Sequence, residues 1–198
     1  MKYFLTVLML LPTWLVAAEQ SAEQGVAIFA GGCFWCTEAD FDKVPGVLST
    51  TSGYIGGELE RPSYEQVSRG GTGHLEAVKV VFDPEHTDYA GLLEAFWPTI
   101  DPLDAGGQFC DRGHHYRSAI FYLDEDQKQL AQASKAALAV SGKLDGDIAT
   151  LVLPAGNFWP AEEYHQDYAK RNPLRYNYYR SRCGRDQRLQ EVWKRQSP

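Results

Sequence analysis

From Val26 to Leu123 the apolar residues change period repeatedly, and this alternation restricts the fold more than any other feature of the chain. Val26 to Ala30 is an unbroken apolar run closed by Gly31-Gly32, the pattern of a buried strand with a tight exit. Phe34, Trp35, Phe41 and Val44 then recur around a helix spanning Cys33 to Val44, with Glu38, Asp40 and Asp42 outward, and Pro45-Gly46 stops it. Val47 to Tyr54, rich in β-branched residues, and His74 to Phe82 read as strands. Between them Gly56 to Gly73 is a glycine-rich loop with one helical turn near Tyr64 to Val67. Thr87-Asp88 caps a helix that runs through Leu92, Leu93, Phe96 and Trp97 to Pro98, and Ser118 to Leu123 is again a strand. Strand, helix, strand, strand, helix, strand is the split βαβ order of ferredoxin-like cores. The expected class is therefore α+β: a βαββαβ core in a two-layer α/β sandwich, with long irregular loops and a C-terminal tail.

The remaining segments complete one domain. Asp101 to His115 is a Gly/Asp-rich loop, and Asp124-Glu125-Asp126 charges the start of a helix carrying Leu130, Ala133, Ala137 and Leu138 on one face. Ile148 to Leu153 is a last strand. After Pro154 the pattern gives an aromatic loop, a helix near Ala161 to Lys170, a Tyr/Arg-rich irregular tail and a short helix near Asp186 to Lys194. A loop as long as Gly56 to Gly73 inside a compact domain is usually functional.

The first residues follow a different logic. Lys2, an uncharged stretch from Tyr3 to Ala18 and the small-residue exit Val16-Ala17-Ala18 describe a secretory signal peptide over 1–18. Residues 19–198 are then the mature domain, exported to the periplasm or beyond, and no later segment is long and apolar enough to span a membrane. Met1 and Met9 are the only methionines, so cleavage after Ala18 leaves a chain with none. A formal net charge of −7 provides no basic field for a nucleic-acid backbone. Export places Cys33, Cys36, Cys110 and Cys183 where disulfides persist, yet four cysteines in a domain of this size cannot replace a core.

Gly31-Gly32-Cys33-Phe34-Trp35-Cys36 carries the chemistry. A cysteine opening a helix sits among unpaired N–H groups at the positive end of the helix dipole, which favours a thiolate, and Cys36 follows one turn later as in Cys-x-x-Cys redox pairs. Two structural or merely buried thiols remain open from spacing alone. No second Cys-x-x-Cys pair exists to complete a zinc site, so no metal is expected. On the third strand the two-residue period aligns Glu76 with Val78, Val80 and Phe82. A carboxyl on an apolar face loses solvation, holds its proton and can donate it.

Six spaced motifs now accumulate. They are Gly32-Cys33-Phe34-Trp35, Gly53-Tyr54-Ile55-Gly56-Gly57, Pro62 to Val67, Thr72 to Val78, Asp111-Arg112-Gly113 with Tyr116 to Ile120, and Ala161 to Gln166 with Asn172-Pro173. Together, from about Ile28 to Arg185, they resemble the type A peptide methionine sulfoxide reductases. The resemblance implies reduction of the S epimer of methionine sulfoxide, free or in proteins. Cys33 would attack the sulfoxide sulfur, Glu76 would give a proton to its oxygen, and Tyr54 and Tyr116 would hydrogen-bond that oxygen. Phe34 and Trp35 would hold the substrate methyl, Asp111 would lie near the substrate main chain, and Tyr176 would line the site. No bound cofactor is implied; a thioredoxin-like dithiol would recycle the enzyme. Many relatives have Gly where Cys36 stands and resolve the sulfenic acid with a C-terminal cysteine. Cys36 ranks first as resolving residue here and Cys183 second, while Cys110 has no assigned role. The expected state is a monomer. Rival readings are a thioredoxin-like thiol-disulfide oxidoreductase, with Leu153-Pro154 as its only candidate proline segment, and an aromatic-rich exported binding domain.

Overall fold

The structure, a computed structural model, describes residues 24–193. The signal peptide expected over 1–18 lies outside them. In chain order the elements are β1 (Gly25–Gly31), α1 (Phe34–Phe41), β2 (Val47–Ile55), α2 (Tyr64–Ser68), β3 (Leu75–Phe82), α3 (Tyr89–Phe96), β4 (Gly107–Gln108) and β5 (Asp111–Arg112). They continue with β6 (Ser118–Tyr122), α4 (Glu125–Val140), β7 (Leu151–Pro154), β8 (Trp159–Pro160), α5 (Tyr168–Arg171), α6 (Pro173–Arg182) and α7 (Arg185–Trp193).

The main sheet runs β7-β6-β1-β3-β2-β8, and its central four strands, β6-β1-β3-β2, are all antiparallel neighbours. This is the sheet of the split βαβ core, extended at one edge by β7, parallel to β6 after the α4 crossover, and at the other by β8. Strand alternation divides the core. Ala27, Phe29, Val78, Val80 and Phe82 face one layer with Leu92 and Phe96 of α3, while Ile28, Ala30, Leu75, Ala77 and Phe121 face the other under Ala155 and Phe158. Among the described residues no helix is long and apolar enough to cross a membrane.

Several expected boundaries shift for local reasons. Helix α1 ends at Phe41, three residues before Val44. The last strand starts at Leu151 rather than Ile148, and the aromatic loop contributes β8. The helix expected over Ala161 to Lys170 is broken at Gln166, whose extended backbone ends one 3₁₀ turn, and at Asp167, whose φ of 52° precedes α5. The tail expected to be irregular is helix α6: Pro173 occupies its first turn, where a missing N–H costs nothing, and Tyr176 and Tyr179 form its inner face while Tyr178 is exposed.

Candidate active site

The site forms where β1 hands over to α1. Gly32 makes the turn at φ +87°, and a Cβ there would stand 2.6 Å from Gln108 Cβ, so only glycine fits. Cys33 is the cap residue of α1; its carbonyl accepts from Cys36 N at 3.1 Å and Thr37 N at 3.2 Å. The next amide, Phe34 N, donates to Glu76 Oε2 at 3.0 Å, which brings the carboxyl of the central strand β3 to the open end of the helix. Cys33 and Cys36 are both buried free thiols.

Burial decides the electrostatics. Glu76 is 2% exposed, and loss of water pushes its carboxyl up to about 8 against the lowering effect of the Phe34 N–H. Burial, followed by the neighbouring Cys36, also pushes the Cys33 thiol up, correcting the expectation that the helix terminus alone would make Cys33 the thiolate. The dipole of an eight-residue helix does not offset complete desolvation. The depressed thiol is Cys36, lowered to about 7 by the hydrogen bond from Cys33 and then by the Arg185 and Arg180 cations. Arg180 is held by both oxygens of Asp40 at 3.1 Å and by Asp186, so α6 and α7 bring positive charge to the back of the thiol pair.

The tyrosines surround the same point. Tyr54 pairs with Glu76 across β2 and β3, and its hydroxyl donates to Glu162 Oε2 at 2.9 Å. Tyr116 closes a 3₁₀ turn and senses the charges of Glu76, Tyr64 and Cys33; burial pushes both Tyr54 and Tyr116 up, so both remain proton donors at any working pH. Phe34 lies under Tyr54, with ring centroids 5.9 Å apart. Trp35 stacks on Tyr168 at 3.7 Å, and its indole N–H donates to His165 Nδ1 at 3.0 Å. Tyr176 is buried beside Cys36 and Ala39 with its hydroxyl on Arg180, so it lies on the Cys36 side of the pair. Asp111 accepts a short hydrogen bond from Tyr179.

Cys183 is joined to Cys110 in a disulfide, which gives Cys110 a partner and leaves Cys36 as the free thiol beside Cys33. Cys110, Asp111 and Cys183 lie within 4.8 Å of one another, but both sulfurs of this group are already bonded to each other. Tyr179, Arg180 and Arg185 received no role in the sequence reading, and Glu162 and His165 entered it only within the Ala161-to-Gln166 motif, without a role of their own. Tyr179 left a further signal: it is three residues after Tyr176, hence on the same helical face. Leu153-Pro154 ends β7, separated from β1 by the whole of β6, so the segment that the thioredoxin-like alternative needs does not lie beside the β1–α1 turn.

Residues 25–197 match the family model described as "Peptide methionine sulfoxide reductase". The chain belongs to this family. Among peptide methionine sulfoxide reductases it is 54% identical over 170 residues to the MsrA of Bacillus licheniformis, covering 86% of this chain and 94% of that one. It is 50% identical over 173 residues to the MsrA of Bacillus subtilis, covering 87% and 98%. The solved methionine sulfoxide reductase A of Corynebacterium diphtheriae superposes with a TM-score of 0.69 at 33% identity, over 79% of this chain and 78% of that chain. The reduced form of Mxr1 from Saccharomyces cerevisiae gives 0.70 at 31% identity, over 78% and 88%. The fold of the reductase family is thus the α+β fold of this chain.

Proposed function

We propose that the protein reduces the S epimer of methionine sulfoxide, free or within oxidised proteins, to methionine. The observation that carries this is the convergence on one helix end of a buried thiol pair and a carboxyl that keeps its proton at neutral pH. Cys33 passes its proton to the Cys36 thiolate and attacks the sulfoxide sulfur, while Glu76 protonates the oxygen and Tyr54 and Tyr116 donate to it. The attack makes an S–S bond to the methionine sulfur. The protonated oxygen then passes from that sulfur to the Cys33 sulfur, so that the methionine S–O and S–S bonds break, an S–O bond to Cys33 forms, methionine leaves with the electron pair, and Cys33 is left as a sulfenic acid. Phe34 and Trp35 supply apolar ring faces for the substrate methyl.

Cys36 then attacks the Cys33 sulfur, water departs, and a Cys33–Cys36 disulfide forms, which an external thioredoxin-like dithiol reduces by exchange. The placement of Cys36 one turn from Cys33, and of Cys183 in its own disulfide, supports this order. All the named side chains come from one chain, which supports action as a monomer. The Lys2-to-Ala18 pattern supports export. The decisive experiment incubates the protein with dithiothreitol and each sulfoxide epimer separately. Methionine should form from the S epimer alone, and Cys33→Ser should abolish it. Equal activity on both epimers, or none, overturns the reading.

A further inference from the structure

The mechanism leaves the Cys110–Cys183 disulfide and Tyr179 unused, and they are adjacent. Tyr179 lies on the inner face of α6, its ring edge-on to Trp35 with centroids 5.8 Å apart. Its hydroxyl donates to the Asp111 carboxylate and lies near enough to Cys33 for the two groups to influence each other. Asp111 follows Cys110 directly, while Cys183 accepts the end of α6 one turn beyond Tyr179, its N–H bonding the Tyr179 carbonyl at 2.9 Å. The disulfide therefore joins the residue next to Asp111 to the turn after Tyr179. Cys110 N donates to Cys183 Sγ at 3.2 Å, and that sulfur lies 3.8 Å from Asp111 Oδ2. Nothing else covalent holds the β5 loop and α6 together among the described residues.

We propose that Tyr179 is a catalytic residue that donates its hydroxyl proton in a hydrogen bond to the Cys33 sulfur as it becomes a thiolate, and that Asp111 and the Cys110–Cys183 disulfide are positioning residues that hold it there. With Cys33 neutral, the hydroxyl donates to Asp111. When Cys33 gives up its proton, the same hydroxyl turns toward the sulfur without leaving the site. The disulfide keeps α6 from drifting off the β5 loop, so that this choice of acceptors persists through each turnover. A purely structural disulfide would stabilise the fold without touching Cys33 chemistry.

This inference rests on Cys33 being the nucleophile, and the test separates the two. Site-resolved alkylation of Cys33, read by mass spectrometry across pH, reports the thiolate without requiring turnover; single-turnover methionine formation reports the chemistry. In Tyr179→Phe, loss of one hydrogen bond to a charged sulfur should move the Cys33 alkylation midpoint upward by about one pH unit and slow single turnover about tenfold. The Cys110→Ala/Cys183→Ala variant should shift both readouts in the same direction. Added to Tyr179→Phe it should bring little further loss, because the two changes remove one arrangement. An unchanged Cys33 profile in Tyr179→Phe, or a disulfide variant that loses thermal stability while Cys33 reactivity stays put, overturns the inference. Activity surviving in Cys33→Ser would instead overturn the reading beneath it.

Discussion

Glu76 makes both the chemistry and the stability of the site pH-dependent, and both decline as pH rises through about 8. Its carboxyl rises from about 4.5 to about 8, mainly through burial, so the proton needed by the sulfoxide oxygen is present across neutral pH and lost above about 8. The folded protein binds this proton more tightly than the unfolded chain does. The stability contributed by that binding is fully present below about 4.5 and is lost as pH rises through about 8. Glu76→Gln keeps an oxygen to accept the Phe34 N–H and removes the titration. Single-turnover methionine formation should fall about a hundred- to ten-thousandfold. Denaturant unfolding of the variant should match the wild type near pH 4 and show a gain of a few kcal/mol near pH 9. An unchanged turnover rate removes Glu76 as the acid, and a midpoint lowered equally at both pH values removes burial as the cause. The carboxyl was legible in the sequence because strand alternation is local: Glu76 shares a face with Val78 and Val80 whatever packs on top. The Cys33 and Cys36 titrations were not legible, since their order depends on the depth of burial and on Arg180 and Arg185, some 150 residues away along the chain.

At the scale of elements, the N-terminal half was readable and the C-terminal third only in part: the helix expected near Asp186 to Lys194 is α7, while α6 was missed. The strands β1, β2, β3 and β6 each advertise themselves by period and turn residues, whereas α6 and α7 are polar, Arg-rich helices whose inward contacts are a few long side chains. Arg185 shows the difference. It is 1% exposed, donates to Gly31 O at 3.3 Å and Thr99 O at 2.7 Å, and lies over the Phe109 ring at 4.5 Å. A lone Arg in a charged tail reads as surface; here it fastens α7 to the last residue of β1 before the catalytic turn. Arg185→Met fills similar volume but leaves two buried carbonyls unpaired and removes a cation beside Cys36. It should lose about 2–4 kcal/mol in urea unfolding. The Cys36 alkylation midpoint should rise from about 7. Stability lost without any shift at Cys36 would show that Arg185 is an anchor alone, and Cys36 is then governed by Arg180 and by Cys33.

Across the whole molecule, sulfur is distributed in an ordered way. Both methionines lie in the first ten residues, so the folded domain from residue 24 to 193 has none. Its four cysteines divide into one closed disulfide and one buried redox pair. An oxidant that reaches this fold therefore meets no thioether, and sulfur damage is confined to Cys33 and Cys36, where a sulfenic acid is already an intermediate of turnover and is reversed by a dithiol. Oxidised methionine would be different: it turns a flexible apolar side chain into a polar chiral one, and a reductase selective for the S epimer leaves the R epimer in place. Leu138 of α4, half-buried against the main core, is a position where methionine fits with little cost, since Leu-to-Met exchange conserves volume. Leu138→Met should match the wild type in initial activity. After peroxide treatment and full re-reduction by dithiol, the wild type should recover completely, while the variant should keep a residual loss of activity together with a persistent mass increment of one oxygen. Equal recovery by both proteins would show that the missing methionines do nothing for the enzyme. A persistent increment without loss of activity would show that oxidation at this edge of the core is tolerated, and protection would then have to lie at deeper positions such as Leu92, which is 0% exposed.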